Sequence, residues 1–192
     1  GVQTCALPIC IAFFCFLNFI VQTYSAQLDL LPIGTVTSED ETVSGTPIQK
    51  YLNIKYAEIP MRFKKAVPTT SVKLSSRICP QSAETPITES EISEDCLTLN
   101  IYRAVPSIPA TEGRIVVMLP SLTTTSGSCK RVNLAGLASK IQGTAICLQS
   151  RVGVFSYGSF AGEDSKDMNN FGQWDQDLAL NFIKRNAAIL TQ

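Results

Sequence analysis

Apolar and polar residues change rhythm several times along this chain, and each rhythm predicts a different element. Ile9 to Val21 (ICIAFFCFLNFIV) carries no charge at all. From Leu30 to Tyr56 the apolar positions come in short extended pieces. Val36, Val43, Ile48 and the run Tyr51 to Ile54 read as strands, punctuated by Gly34, Gly45 and Pro47. Such spacing predicts an antiparallel hairpin region. Pro60, Pro68, Pro80 and Pro86 then mark a passage rich in loops. Leu97 to Tyr102 (LTLNIY) alternates and predicts a further strand, and Ala104 to Gly113, with Pro106 and Pro109, predicts a loop.

Two unbroken apolar runs follow, Ile115 to Leu119 (IVVML) and Thr144 to Leu148 (TAICL). Runs without alternation suit central strands covered on both faces, usually in a parallel sheet under helices. Val132 to Ile141 between them predicts a short helix. From Trp174 to Leu190 the spacing is helical, with Trp174, Leu178 and Phe182 at i, i+4 and i+8, followed by Ile183 and Ile189. Asp175 and Asp177 would lie in its first turn, with Lys184 and Arg185 later, the charge order a helix dipole favours. Strand, helix, strand, helix after an antiparallel start implies an α/β fold with a mixed sheet.

The apolar run at the amino end continues for about 13 residues, short of the ~20 that cross a bilayer, so no stable membrane span is expected from it. Thr23, Ser25 and Ala26 follow with the small side chains that signal peptidase accepts. Residues 1–26 are accordingly read as a leader followed by a secretory signal peptide. Gly1 to Pro8 resembles a translated adapter remnant rather than native protein. The remaining residues, 27–192, are read as part of one domain in an extracellular protein.

Composition narrows the chemistry. The chain has 192 residues, 45% of them hydrophobic and 17% charged, which fits a packed core. Sixteen basic and sixteen acidic residues cancel to a formal charge of zero. Without a basic patch interleaved with aromatics, nucleic acid is not an expected partner. Histidine is absent altogether. These residues therefore supply no Ser–His or Cys–His catalytic pair and no His-based zinc site. Four of the seven cysteines, Cys79, Cys96, Cys129 and Cys147, lie in the body of the chain. None forms a C-x-x-C pair, and four such cysteines allow three disulfide connectivities. No cofactor is implied.

Several segments resemble, in order, the type-B carboxylesterase and cholinesterase-like family. Tyr51 to Pro60, with Arg62-Phe63 after it, is similar to Y-L-G-I-P-Y-A-x-P-P…R-F. Ser93 to Tyr102 (SEDCLTLNIY) is close to the signature S-E-D-C-L-Y-L-N-I-Y. Arg151 to Phe155 matches R-V-G-x-F, and Asn170, Gly172, Asp175, Gln176, Ala179 and Leu180 match N-x-G-x-x-D-Q-x-x-A-L. The resemblance implies the N-terminal part of an α/β-hydrolase fold, its antiparallel hairpins leading into a mixed, mostly parallel central sheet with flanking helices. It implies a Cys79–Cys96 disulfide and a salt bridge between Arg62 and Glu94. Cys129 and Cys147 match no family bridge, and Cys147 is expected to be a buried free thiol in a core strand.

The resemblance also exposes departures. The family's G-x-S-x-G nucleophile elbow is absent, since no glycine here is followed by serine two residues on. The H-G-G-G segment that forms the family's oxyanion hole falls on Pro120, Ser121, Leu122 and Thr123. Glycines let backbone amides approach a developing oxyanion, whereas leucine and threonine add bulk and proline has no N–H. Between Cys79 and Cys96 there is no aromatic residue to face a quaternary ammonium, which disfavours choline esters. The carboxylates there, Glu84, Glu89, Glu91, Glu94 and Asp95, lack an ordered ligand spacing and read as a solvated acidic loop rather than a calcium site. Two functional expectations result: a secreted carboxylic-ester hydrolase of small-molecule esters, inactive in the residues given, or a non-catalytic relative that binds a protein partner. A truncated product without independent function is the third.

Overall fold

The computed structural model describes residues 25–82, 88–105, 113–120, 124–158 and 169–192. The leader and signal-peptide reading therefore lies, but for Ser25 and Ala26, outside the described residues. The chain opens with an antiparallel pair, β1 (Gln27–Leu30) and β2 (Gly34–Thr37). Leu28 and Leu30 alternate inward and are almost fully buried.

The main sheet has five strands: β3 (Glu39–Val43), β4 (Thr46–Lys55), β7 (Thr98–Ala104), β8 (Ile115–Met118) and β9 (Thr144–Leu148), in the order β3-β4-β7-β9-β8. Ser44 and Gly45 join β3 to β4 with both φ angles positive (51° and 82°). Two left-handed residues in succession match the twist of a tight hairpin, and glycine takes the second position without strain. β4 is irregular between Tyr51 and Ile54. There Asn53 has φ 61°, and its N–H donates to Asn100 Oδ1 at 2.7 Å, so a neighbouring side chain replaces the lost ladder bond. A small hairpin of β5 (Ala57–Glu58) and β6 (Val67–Pro68) lies apart from this sheet.

The sheet is mixed. β3, β4, β7 and β9 pair antiparallel, and β8 pairs parallel with β9. Alternation along β7 and β9 divides their side chains between two cores. Leu99, Ile101, Ile146 and Leu148 join one with Tyr51, Ile54, Ala179 and Phe182. Tyr102, Ala104, Ala145 and Cys147 join the other with Ile48, Leu134 and Ala138. Helix α1 (Ala135–Ile141) covers the second face, and α3 (Phe171–Arg185) and the short α4 (Ala187–Leu190) cover the first. Helix α2 (Val154–Tyr157) is a single turn after β9.

β9 is buried along its whole length, as its apolar run predicts, and β8 pairs beside it at the end of the described sheet, with Val116 39% exposed. One local expectation is corrected. Helix α3 begins at Phe171, so its first turn holds no acidic residue. Its inward stripe is Phe171, Asp175, Ala179 and Phe182 with Ile183, one position out of phase with the predicted Trp174 and Leu178. Trp174 lies at the rim, where Nε1 donates to Ala66 O at 3.1 Å.

Candidate functional site

Ligand sites in open α/β sheets gather at the carboxyl ends of parallel strands. Here those ends are Leu119-Pro120 after β8 and Gln149 to Val152 after β9. Pro120 lies in a small recess with Leu119, Gly127, Ser150 and Tyr157. The recess encloses only about 20 Å³, room for one water and no substrate. Ser121, Leu122 and Thr123 lie outside the described residues. The amide of Gly127, just beyond them, is engaged: it donates to Gln81 Oε1 at 2.7 Å, and Gln81 Nε2 returns a bond to Gly127 O at 3.4 Å.

Gln81 belongs to the loop closed by the Cys79–Cys96 disulfide, whose Cα atoms are 5.0 Å apart and whose cysteines are fully buried. At its far end Glu94 meets Arg62, whose Nε donates to Glu94 Oε1 at 2.7 Å. The Arg62 guanidinium also lies 5.8 Å from the Phe155 ring centre, and Phe155 stacks on Phe63 at 5.6 Å. Three stretches distant in sequence are thereby held at one point. The Arg62 side chain is 62% exposed, so the pair fixes geometry more than it adds stability.

The other loop carboxylates separate rather than converge. Glu84 lies outside the described residues. Asp95 pairs with the buried Lys55, and Glu91 receives Lys130 Nζ at 2.6 Å. That ammonium, with the Thr88 backbone and hydroxyl, lowers the Glu91 carboxyl to about 2. Among the described residues no group of three potential metal ligands occurs.

Beneath the recess are groups for which the sequence reading assigned no partner. Arg151 Nε and Nη2 donate to the two carboxylate oxygens of Asp175 at 2.8 and 2.7 Å, and the Arg151 N–H adds a bond at 3.2 Å. Burial pushes the Asp175 carboxyl above its ordinary value, and the Arg151 bonds pull against it. Both residues stand in the matched motifs R-V-G-x-F and N-x-G-x-x-D-Q, which is the signal that could have paired them. Gln149, 2% exposed, spends its whole amide: Oε1 accepts from Ser128 Oγ and Cys129 N, and Nε2 donates to Arg77 O and Cys96 O, both at 2.8 Å. Its carbonyl accepts from the Tyr56 hydroxyl at 2.9 Å. Desolvation holds that phenol well above its usual range. It acts as a buried strut rather than as a proton carrier.

The expectation for Cys147 is overturned. It is not a free thiol but is bridged to Cys129, with Cα atoms 5.6 Å apart. β9 places Cys147 on the face toward α1, and the short 3-10 turn Cys129–Arg131 lies against that face. Placement in a core strand predicted burial correctly but gave no information on what else the same face would bring near.

Residues 25–190 match the sequence profile of the carboxylesterase family. Over 175 residues the chain is 27% identical to Carboxylesterase 5A of Felis catus, covering 80% of this chain and 32% of that protein. Liver carboxylesterase of Sus scrofa is 27% identical over 165 residues, 74% of this chain and 28% of its own length. Acetylcholinesterase 1 of Caenorhabditis briggsae is 24% identical over 197 residues, 91% of this chain and 31% of its own. The chain thus spans about a third of the length of the curated relatives it matches.

Proposed function

Because the chain belongs to the carboxylesterase family, we propose that it is an extracellular member which retains the scaffold of a carboxylic-ester hydrolase and that these 192 residues alone do not hydrolyse esters. The observation that carries the reading is compositional and local together. No histidine exists to activate a serine. By the resemblance, the family's H-G-G-G segment falls on Pro120, Ser121, Leu122 and Thr123, which replace its glycines with bulkier residues and open on a proline without an N–H. Losing such a donor costs roughly 100- to 1000-fold in hydrolases that depend on it. Two disulfides support an oxidising compartment. No helix among the described residues is long and apolar enough to cross a membrane.

The test is hydrolysis of p-nitrophenyl acetate by the purified chain. The expected result is a rate equal to the blank. Turnover abolished by a serine-directed phosphonate would overturn the proposal.

A second reading is a family member that binds a protein partner without catalysis, and the replacement of H-G-G-G by Pro120, Ser121, Leu122 and Thr123 favours it. Extending the transcript beyond the codon for Gln192 separates the two. A G-x-S-x-G elbow with a later histidine supports a hydrolase of small-molecule esters, and a replaced serine supports the binding protein.

A further inference from the structure

A groove of about 590 Å³ runs between the last turns of α3 and the hairpins at the amino end of the chain, within the range of small-molecule sites. Pro32, Pro68, Leu178 and Phe182 give it an apolar wall. Lys184 and Arg185 stand over it, both exposed. Among the described residues no acidic side chain lines the groove. Among the described residues neither cation has a carboxylate partner, although other lysines and arginines there are paired, as in Lys50–Glu41 and Arg151–Asp175. Two acids close in sequence to groove residues already carry hydrogen-bond partners. Glu58, on β5 opposite Val67, receives Lys73 Nζ at 2.5 Å, and Asp177 accepts Asn181 Nδ2 at 3.2 Å.

Cations in the last turn of a helix are favoured by its dipole whatever they face. The dipole does not require an apolar trough of ligand size beside them. We propose that this groove binds an organic carboxylate with a short aliphatic body, its chain against Leu178, Phe182 and the two prolines and its carboxylate between Lys184 and Arg185. The apolar wall excludes water from one side, and the two cations supply charge-assisted bonds to the head. No residue lining the groove lines the recess at Pro120, so the site is independent of the ester-hydrolase reading.

Equilibrium dialysis of the full chain against radiolabelled octanoate, with octanol in parallel, tests the site. Saturable binding of octanoate is expected, about tenfold tighter than octanol and weakening as salt is raised. The double variant K184Q/R185Q, at exposed positions, is expected to lose about tenfold in octanoate affinity with an unchanged circular dichroism spectrum. K130Q/R131Q, on a different surface, is expected to bind as the parent does. Should the first variant fold poorly, the salt titration of the parent chain decides the matter. Absence of saturable binding, equal affinity for octanol and octanoate, or insensitivity to both salt and K184Q/R185Q would overturn the proposal.

Discussion

Arg151 grips Asp175 with two parallel hydrogen bonds of 2.8 and 2.7 Å in a site where the two side chains are 4% and 0% exposed. Arg151 follows β9 and Asp175 lies in α3, so the pair sets where the helix sits on the sheet end. Arg151 Nη1 also donates to Lys64 O at 2.8 Å, which ties in the segment after Arg62. Removing one partner strands the other charge in a medium that solvates it poorly. Asp175→Asn is therefore expected to destabilise the fold by about 3–5 kcal/mol. The double change R151M/D175L should cost clearly less than that. Urea unfolding of the three variants and the parent measures both.

Ser156 is the other buried group here that is out of balance. Its hydroxyl is fully buried and has no hydrogen-bond partner among the described residues. Ser156→Ala removes a desolvated group and is expected to raise stability by about 1 kcal/mol, read as a higher urea midpoint at constant m-value. Gly172 packs against the same hydroxyl. A Cβ there would fall 1.8 Å from Ser156 Oγ and 2.8 Å from Arg151 O. Gly172→Ala should cost roughly 1–3 kcal/mol by overpacking. Adding Ser156→Ala is expected to recover only part of that, because the Arg151 carbonyl cannot withdraw.

Glu91 gives a pH signature. Its carboxyl is held at about 2, first by the hydrogen bond from Lys130 and then by Thr88. A depressed acid stabilises the folded state above its unfolded value, and that stability is lost as pH falls from the ordinary carboxyl range through about 2. Carbon-detected NMR of the Glu91 carboxyl should show this low midpoint. In Lys130→Gln the midpoint should rise toward the ordinary range; an unchanged midpoint would assign the effect to Thr88 alone.

The Cys129–Cys147 bridge closes a loop of 18 residues. The chain-entropy model gives such a loop about 3 kcal/mol. C129A/C147A is expected to unfold more easily by that order, and a non-reducing peptide map of the parent should recover Cys79–Cys96 and Cys129–Cys147 as linked pairs.

Local signals and tertiary ones were unequally readable in the sequence. The hairpin through Gly45, the strand at Leu97 to Tyr102 and the buried run at Thr144 to Leu148 follow from periodicity, because period two and turn residues are properties of adjacent positions. The partner of Cys147 lies 18 residues away on a different element, and no local rhythm records it. Asp175 is the most telling case. Its charge was read against the helix dipole, yet it is fully buried and its partner is Arg151, arriving from the end of β9. The site around Pro120 was visible only through motifs, and the amide that Gln81 takes from Gly127 only in three dimensions.

The pairing of β4 with β7 has a consequence for how this chain folds. Lys55 and Thr98 are neighbours in the sheet although a long excursion separates them in sequence. Bringing such distant residues together is the slow step in sheet formation, because the loop entropy is lost before the contacts form. The Cys79–Cys96 bridge lies within that excursion and removes residues 80–95 from the path between the two strands. In an oxidised chain the strands search over a shorter tether, so oxidation at this pair would speed the nucleation of the sheet as well as deepen its final stability.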